Sequence, residues 1–469
     1  MGGFNMKRYL AMLLIVCMFI TLTAGCGQGK SGSEAGTPTA QKGGAETSGE
    51  ANATGARDDT KAQGAADGDS GAGSDEQITL EFFNMKPEIV DILDELFAQY
   101  MTDHPNIKIE VVSPSDAATV LTTRVASGDV PDIYTHWPKE ESYALVKAGA
   151  AMDLSDTGVL DNIAPSVREV WTSWLDGKDI TGEYCATISF NFSGLWYNKD
   201  IFKEAGYDEF PATWDELMTA CEKIKANGIT PIEISGLQPA EATQQLYICI
   251  ASAMSDDAYK AFLADSAAGA VDPSSAVYGA ELKELGTKIA QLVSNAQTDV
   301  LGTDGESASA DFAAGKTAMF MNGSWKYPTI MSANPEINCE LAPIPGTTAA
   351  DTKMAAYPGD MGVWISANLE GAKKDAAIAL VQWMASADFA QPFAQKDGSP
   401  SCIQGVDYVA EPFNYAYTNF ISNGSYILNT DCNWTAAQID VVGSAMQQLY
   451  SDGDANAFVQ NLANALNNN

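Results

Sequence analysis

Few side chains in this sequence are placed for covalent chemistry. The two histidines, His104 and His136, belong to no HExxH and no Cys/His cluster, so a zinc site or a histidine-dependent triad has little support. No GxGxxG follows the first apolar run and no GxxxxGK[ST] occurs anywhere, which removes the common nucleotide fingerprints. Acidic residues number 61. A secreted glycoside hydrolase would need two of them across a scissile bond, and no local motif singles out such a pair. What stands out instead is indole rings beside polar loop residues. Trp137 follows PDIYTH, with Glu140 three residues on. Trp325 ends MNGSW after an apolar run, where Gly323 allows a close backbone turn. Asn84 and Lys86 sit in NMKPE, and Asp360 lies in YPGDMG; a lone Asp in such a loop serves equally well as a cap or turn residue. Rings and polar tips hold a ligand by stacking and hydrogen bonds without breaking its bonds.

The elements that must position these residues alternate in type. ITLEFFNMK and IKIEVVS are strand-like. EIVDILDELFAQYMTDHP places Ile89, Ile92, Leu93, Leu96, Phe97 and Tyr100 on one helical face, and AATVLTTRVASG forms a second helix before the strand VPDIYTHW. Strands alternating with helices of this length predict βαβ units and a mostly parallel sheet. Ligands of such sheets bind beyond the carboxyl ends of the strands, which puts NMKPE and THWPKE at one edge. Further on, GLWYNKDIFKEAGYDEFPATWDEL reads as a strand, a short helix stopped at Gly206, and a second helix opened by a capping box of Thr213 and Glu216. Trp196 and Tyr197 in that stretch read as core.

The flanks and composition narrow the class. Lys7 and Arg8 precede the apolar run Tyr9 to Leu22, and LTAGC then ends at Cys26. This has the form of an export leader over residues 1–25, with Met1 or Met6 as the start. Residues 26–77 are rich in Gly, Ala, Ser, Thr, Asp and Glu and have almost no large apolar side chains. Such a segment predicts a disordered tether, spanning on the order of 40 Å as a flexible coil. The formal net charge of −35 argues against nucleic acid as a partner, because phosphate binding needs a basic stripe. Cys185, Cys221, Cys249, Cys339, Cys402 and Cys432 follow at wide spacings without a CxxC; buried thiols suit them better than disulfides.

Four blocks in order carry a family resemblance: ASGDVPDIY, GLWYNKDIFKEAGY with PATWDEL, FAAGKTAMFMNGSW, and DMGVWISAN with AAIALVQWMAS. Together they resemble the extracellular solute-binding protein family 1, the sugar-capturing lipoproteins of ABC importers, similar to maltose-binding protein. TAGC resembles a bacterial lipobox, with Cys26 as the lipidated residue and Thr23 where Leu is commoner. The resemblance implies an α/β, two-lobe periplasmic-binding-protein-like fold with discontinuous lobes, a three-crossing hinge and a central cleft. It places the crossings near 190–194, 339–346 and 397–402. Lobe one is then 78–190 with 346–398, and lobe two is 191–345 with 399–469. It also implies a carbohydrate ligand. Pyranose C–H faces stack on aromatic rings while the hydroxyls need polar partners, so Trp137, Trp325 and Trp434 are the expected stacking residues. Asn84, Lys86, Glu140, Asn191 and Asp360 are the expected polar contacts, Asn191 lying where maltose-binding protein carries an acidic one. The expected state is a monomer, anchored by lipid at the outer face of the cell membrane, partnered by permease subunits, and without cofactor, metal or catalysis. The alternatives are a binding protein for another solute and a secreted glycoside hydrolase. Aromatic loop tips with few His or Cys favour the sugar.

Overall fold

The computed structural model describes residues 77–468, apart from 176 and 177. The expected leader, Cys26 and nearly all of the tether lie outside the described residues. The described residues form eleven strands: β1 Ile78–Phe83, β2 Ile107–Val112, β3 Ile133–Thr135, β4 Ala186–Thr187, β5 Phe190–Asn198, β6 Thr230–Glu233, β7 Thr317–Gly323, β8 Cys339–Ala342, β9 Met354–Pro358, β10 Gly362–Ile365 and β11 Tyr426–Leu428. They divide into two sheets. The first has the order β2-β1-β3-β10-β4, and the second β11-β9-β5-β7-β6, with β8 also paired to β5.

Parallel pairing holds for β1 with β2 and β3, as the βαβ alternation predicts. β6 with β7 and β9 with β11 are parallel too, but both sheets are mixed rather than mostly parallel. β10 runs antiparallel to both β3 and β4, and β5 runs antiparallel to β7, β8 and β9. The physical reason is the connectivity. β5 and β10 adjoin the points where the chain passes between sheets, and each traverses its sheet against the direction of the strands beside it.

Separate cores form under the two sheets. Leu80, Phe82, Leu93, Ile133, Val363 and Leu380 pack together in the first. Leu195, Leu217, Leu246, Ile289, Met319 and Met446 pack together in the second. The first passage between sheets falls between β4 and β5, close to the expected place. The second does not fall at 339–346. β9 still pairs with β5 and β11, so the chain leaves the second sheet only between Pro358 and Gly362. Pro343 and Pro345 follow β8 and stiffen a connection within the second sheet. The third passage also comes later than 397–402. Ser401 bridges Ser189, and Cys402, Ile403 and Val406 remain in the first core, while Ala410 and Phe413 belong to a core under the second sheet.

The stretch after β5 forms as its caps dictate. The Asn198 side chain accepts from the backbone of Asp200 and Ile201 and opens the helix Lys199–Glu204. Gly206, at φ 87°, ends it. Thr213 Oγ1 accepts from Glu216 N at 3.4 Å, and Glu216 Oε2 accepts from Thr213 N at 3.1 Å. Trp196 is fully buried and donates to Gly323 O at 2.9 Å. Gly194 is required by a close approach, because a Cβ there would lie 2.1 Å from Ala342 O on β8. All six later cysteines are buried.

Candidate functional site

The loop after β1 begins where Asn84 turns it. Asn84 Oδ1 accepts from Lys86 N at 3.2 Å, and its Nδ2 donates to Lys86 O. That turn sends Lys86 inward, where it is 3% exposed beside an equally buried Asp360. Lys86 Nζ lies 2.5 Å from Asp360 Oδ2 and 3.2 Å from Glu88 Oε1. Asn191 Nδ2 donates to Asp360 Oδ1 at 2.9 Å. Burial alone would lower the Lys86 pKa, but Asp360, then Glu88 and Asp397, outweigh it and hold the ammonium above its ordinary range. Asn191 stands on β5 just after the first passage, Asp360 lies within the second, and Asp397 ends the helix Ala387–Asp397 ahead of the third, so the cluster draws on both sheets' sides.

The cluster forms one wall of a cavity of about 500 Å³. Trp137, two residues past β3, lines it from the first sheet's side. Trp325, in the turn Ser324–Lys326 past β7, lines it from the second. Gly323 has a specific part here, although its φ of −104° needs no glycine. The Trp325 ring lies only 2.0 Å from where a Cβ on residue 323 would sit. Lys139 Nζ stands 5.5 Å from the Trp137 ring centroid and 3.7 Å from Asp431 Oδ2. Tyr357 on β9 donates its hydroxyl to Pro138 O. These two contacts tie the loop after β3 to the second sheet's side. Two wall acceptors, Asn191 Oδ1 and Asn429 Oδ1, are buried with no hydrogen-bond partner among the described residues. Such orphans are rare.

Of the eight residues expected at the site, Lys86, Trp137, Asn191, Trp325 and Asp360 line this cavity. Three do not. Trp434 is 0% exposed in the second sheet's core and donates to Ser266 Oγ at 2.7 Å, so its indole is held against the helix Asp256–Ala267. Glu140 is paired with Lys178 and turns away from the cavity. Asn84 braces the loop that aims Lys86. Sequence reading missed Glu241, Tyr247, Tyr357, Asn429 and Asp431, which also line the cavity. Tyr247 and Glu241 sit on the helix Pro239–Ala253, whose sequence reads as ordinary core. Lys139 and Lys326 were closer to hand, each within two residues of a wall tryptophan. Among the described residues, no three His, Cys, Asp or Glu side chains are grouped to hold a metal.

Two sheets joined by three passages, with a polar, tryptophan-faced cavity lined from both, define a two-lobed binding protein. The chain belongs to the bacterial extracellular solute-binding proteins, whose family model matches residues 86–391. It is 29% identical over 337 residues to the multiple sugar-binding protein of Streptococcus mutans, covering 71% of this chain and 77% of that protein. It is 27% identical over 257 residues to a probable sugar-binding periplasmic protein of Rhizobium meliloti, covering 53% and 55%. Among solved structures, the solute-binding protein RafE in complex with raffinose superposes with a TM-score of 0.72 at 26% identity, over 83% of this chain and 99% of that one. A chitin oligosaccharide binding protein shares the fold, with a TM-score of 0.69 at 18% identity, over 83% and 98%.

Proposed function

We propose that this protein captures an oligosaccharide outside the cell and delivers it to an ABC import permease. The observation that carries the reading is the cavity: one tryptophan from each side of it, with buried asparagines and carboxylates between. Indole faces stack on sugar C–H groups while the amides and carboxylates take hydroxyls. Similarity to sugar-binding proteins and to a raffinose complex supports the same ligand class. A single chain supplies both sides of the cavity, which suits a monomer. Binding leaves the sugar intact, as the family's character as binding proteins suggests.

The lobes inferred from the strands and cores are about 77–187 with 362–406, and 190–358 with 410–468. Cys26 is the proposed lipid attachment point, holding the protein at the outer face of the membrane through the tether. No helix among the described residues is long and apolar enough to cross a membrane.

Calorimetric titration with raffinose, maltotriose, xylotriose and triacetylchitotriose tests the ligand class. Saturable binding of at least one, without turnover, is expected; heat from none of them, or hydrolysis of any, overturns the reading. For the anchor, Cys26→Ser should release the protein from the membrane fraction, because the diacylglycerol supplies most of the membrane affinity. Unchanged fractionation would remove the lipid from the proposal.

A further inference from the structure

The charges on the cavity wall do not balance. Three lysines line it, Lys86, Lys139 and Lys326, with no arginine or histidine, against six carboxylates. Each lysine is already engaged. Lys86 pairs with Asp360 and Glu88, Lys139 with Asp431 at 3.7 Å, and Lys326 with Glu306 at 2.5 Å. The other two carboxylates, Glu241 and Asp440, have no ion-pair partner among the described residues. They stand on neighbouring helices, Glu241 in the first turn of Pro239–Ala253 and Asp440 on Ala436–Asp452. Glu241 Oε1 accepts the Gly305 N–H at 3.2 Å, and the nearest cation acting on its carboxylate, Lys326, is the one held by Glu306. Independently, Asn191 and Asn429 line the same cavity, and the side-chain oxygen of each is buried and unpartnered among the described residues. An unpaired buried acceptor is costly, and only a donor relieves it.

We propose that the site selects its glycan by charge: it takes sugars that present hydroxyl or ammonium donors and rejects those bearing a carboxylate, sulfate or phosphate, with Glu241 and Asp440 as the specificity-determining residues. This rests on the sugar-binding reading above. An anionic ligand would meet an excess of negative charge with every wall lysine already committed. It would also bring further acceptors to orphaned acceptors. A neutral sugar donates its hydroxyl protons to Asn191 and Asn429. An ammonium group adds attraction to the two unpaired carboxylates. Rejection of this kind is built from unfavourable contacts against the wrong ligand, rather than from better contacts with the right one.

The test uses the full chain and sugars matched in all but charge. The tightest neutral binder in the panel named above is compared with its 6-carboxy and 6-amino derivatives, and trigalacturonate is titrated alongside. The carboxy form should bind at least about tenfold more weakly, the scale of a like-charge contact in a partly buried site. The amino form should bind at least as tightly as the parent. Raising the salt should narrow both differences, since the unpaired carboxylates border solvent. Glu241→Gln with Asp440→Asn should narrow the ratio of parent to carboxy-form affinity several-fold, whatever it does to the affinity for the parent sugar. Carboxy and parent sugars binding within about threefold of each other, or saturable binding of trigalacturonate alone, would overturn the charge selection and leave the carbohydrate reading standing. Binding of no sugar of any charge would overturn both. The comparison of derivatives on the unaltered chain stands whether or not the double variant folds.

Discussion

Replacing Asp397 by Asn should make the protein more stable at neutral pH and leave its stability at pH 4 nearly unchanged. Asp397 closes the helix Ala387–Asp397 and is 0% exposed. Its carboxylate faces Lys86, Asp360 and Glu88, and neither oxygen has a well-formed hydrogen bond. Burial pushes its pKa up to about 6; Lys86 opposes the rise, and the charges on Asp360 and Glu88 add to it. In the unfolded chain the same group titrates near 3.9. A raised carboxyl binds its proton more tightly in the folded state, so its contribution is present below about pH 4 and is lost as pH climbs through about 6. A gap of roughly two pH units corresponds to about 3 kcal/mol. Asn resembles the protonated acid in shape and charge, so the variant should gain up to about that amount at pH 7. Other carboxylates, such as Asp256 beside Lys353, are held below their ordinary range and push stability the opposite way with pH. The informative quantity is therefore the difference between variant and parent, taken from denaturant unfolding at half-unit steps from pH 4 to 7.5 with equal m-values. A difference that stays constant across that range, or a variant less stable at pH 7, would refute the account of a strained buried carboxylate.

Trp325→Ala should weaken sugar binding by roughly thirtyfold, the loss of about 2 kcal/mol typical of a stacked anchor, with little change in melting temperature. Trp137→Ala should behave alike if the sugar is clasped from both sides; a large melting-temperature drop with normal affinity in either variant counts against stacking. Trp434→Ala should do the reverse, costing about 3–5 kcal/mol of folding stability with affinity within a few-fold of the parent. Lys86→Met should cost about 3–5 kcal/mol, because it leaves Asp360 buried without its cation; a loss below 1 kcal/mol in thermal or urea unfolding would show that the cluster does not depend on it. Gly323→Ala should displace the Trp325 ring, so binding weakens while the unliganded protein melts within a few degrees of the parent, and calorimetry showing unchanged affinity would remove that ring from the ligand's path.

Local features were legible in the sequence because their causes are local. The capping box of Thr213 and Glu216 is written in four consecutive positions. The helical face from Ile89 to Tyr100 follows from spacing alone, and the parallel pairing of β1 with β2 and β3 follows from the alternation of elements. The edge carrying Lys86 and Trp137 was also predictable, since both follow strands that run the same way. What the sequence could not determine was which strand pairs across which passage. β9 and β10 are both short apolar runs, separated by Gly359, Asp360 and Met361, and only tertiary pairing assigns one to each sheet. For the same reason Trp434 and Trp325 look alike as sequence, each an indole close ahead of a helix. One is sealed in the core with its indole bonded to Ser266 on the helix Asp256–Ala267, and the other is left facing the cavity by the missing side chain of Gly323. Tyr247 and Glu241 carry no signal at all, because a helix residue that packs and one that lines a cavity obey the same periodicity. The charge cluster shows the difference most plainly: Lys86, Asn191, Asp360 and Asp397 are spread over more than three hundred positions. They become neighbours only because tertiary packing brings the loop after β1, the start of β5, the passage between β9 and β10 and the end of the helix Ala387–Asp397 to one place, where low dielectric makes each charge depend on the others.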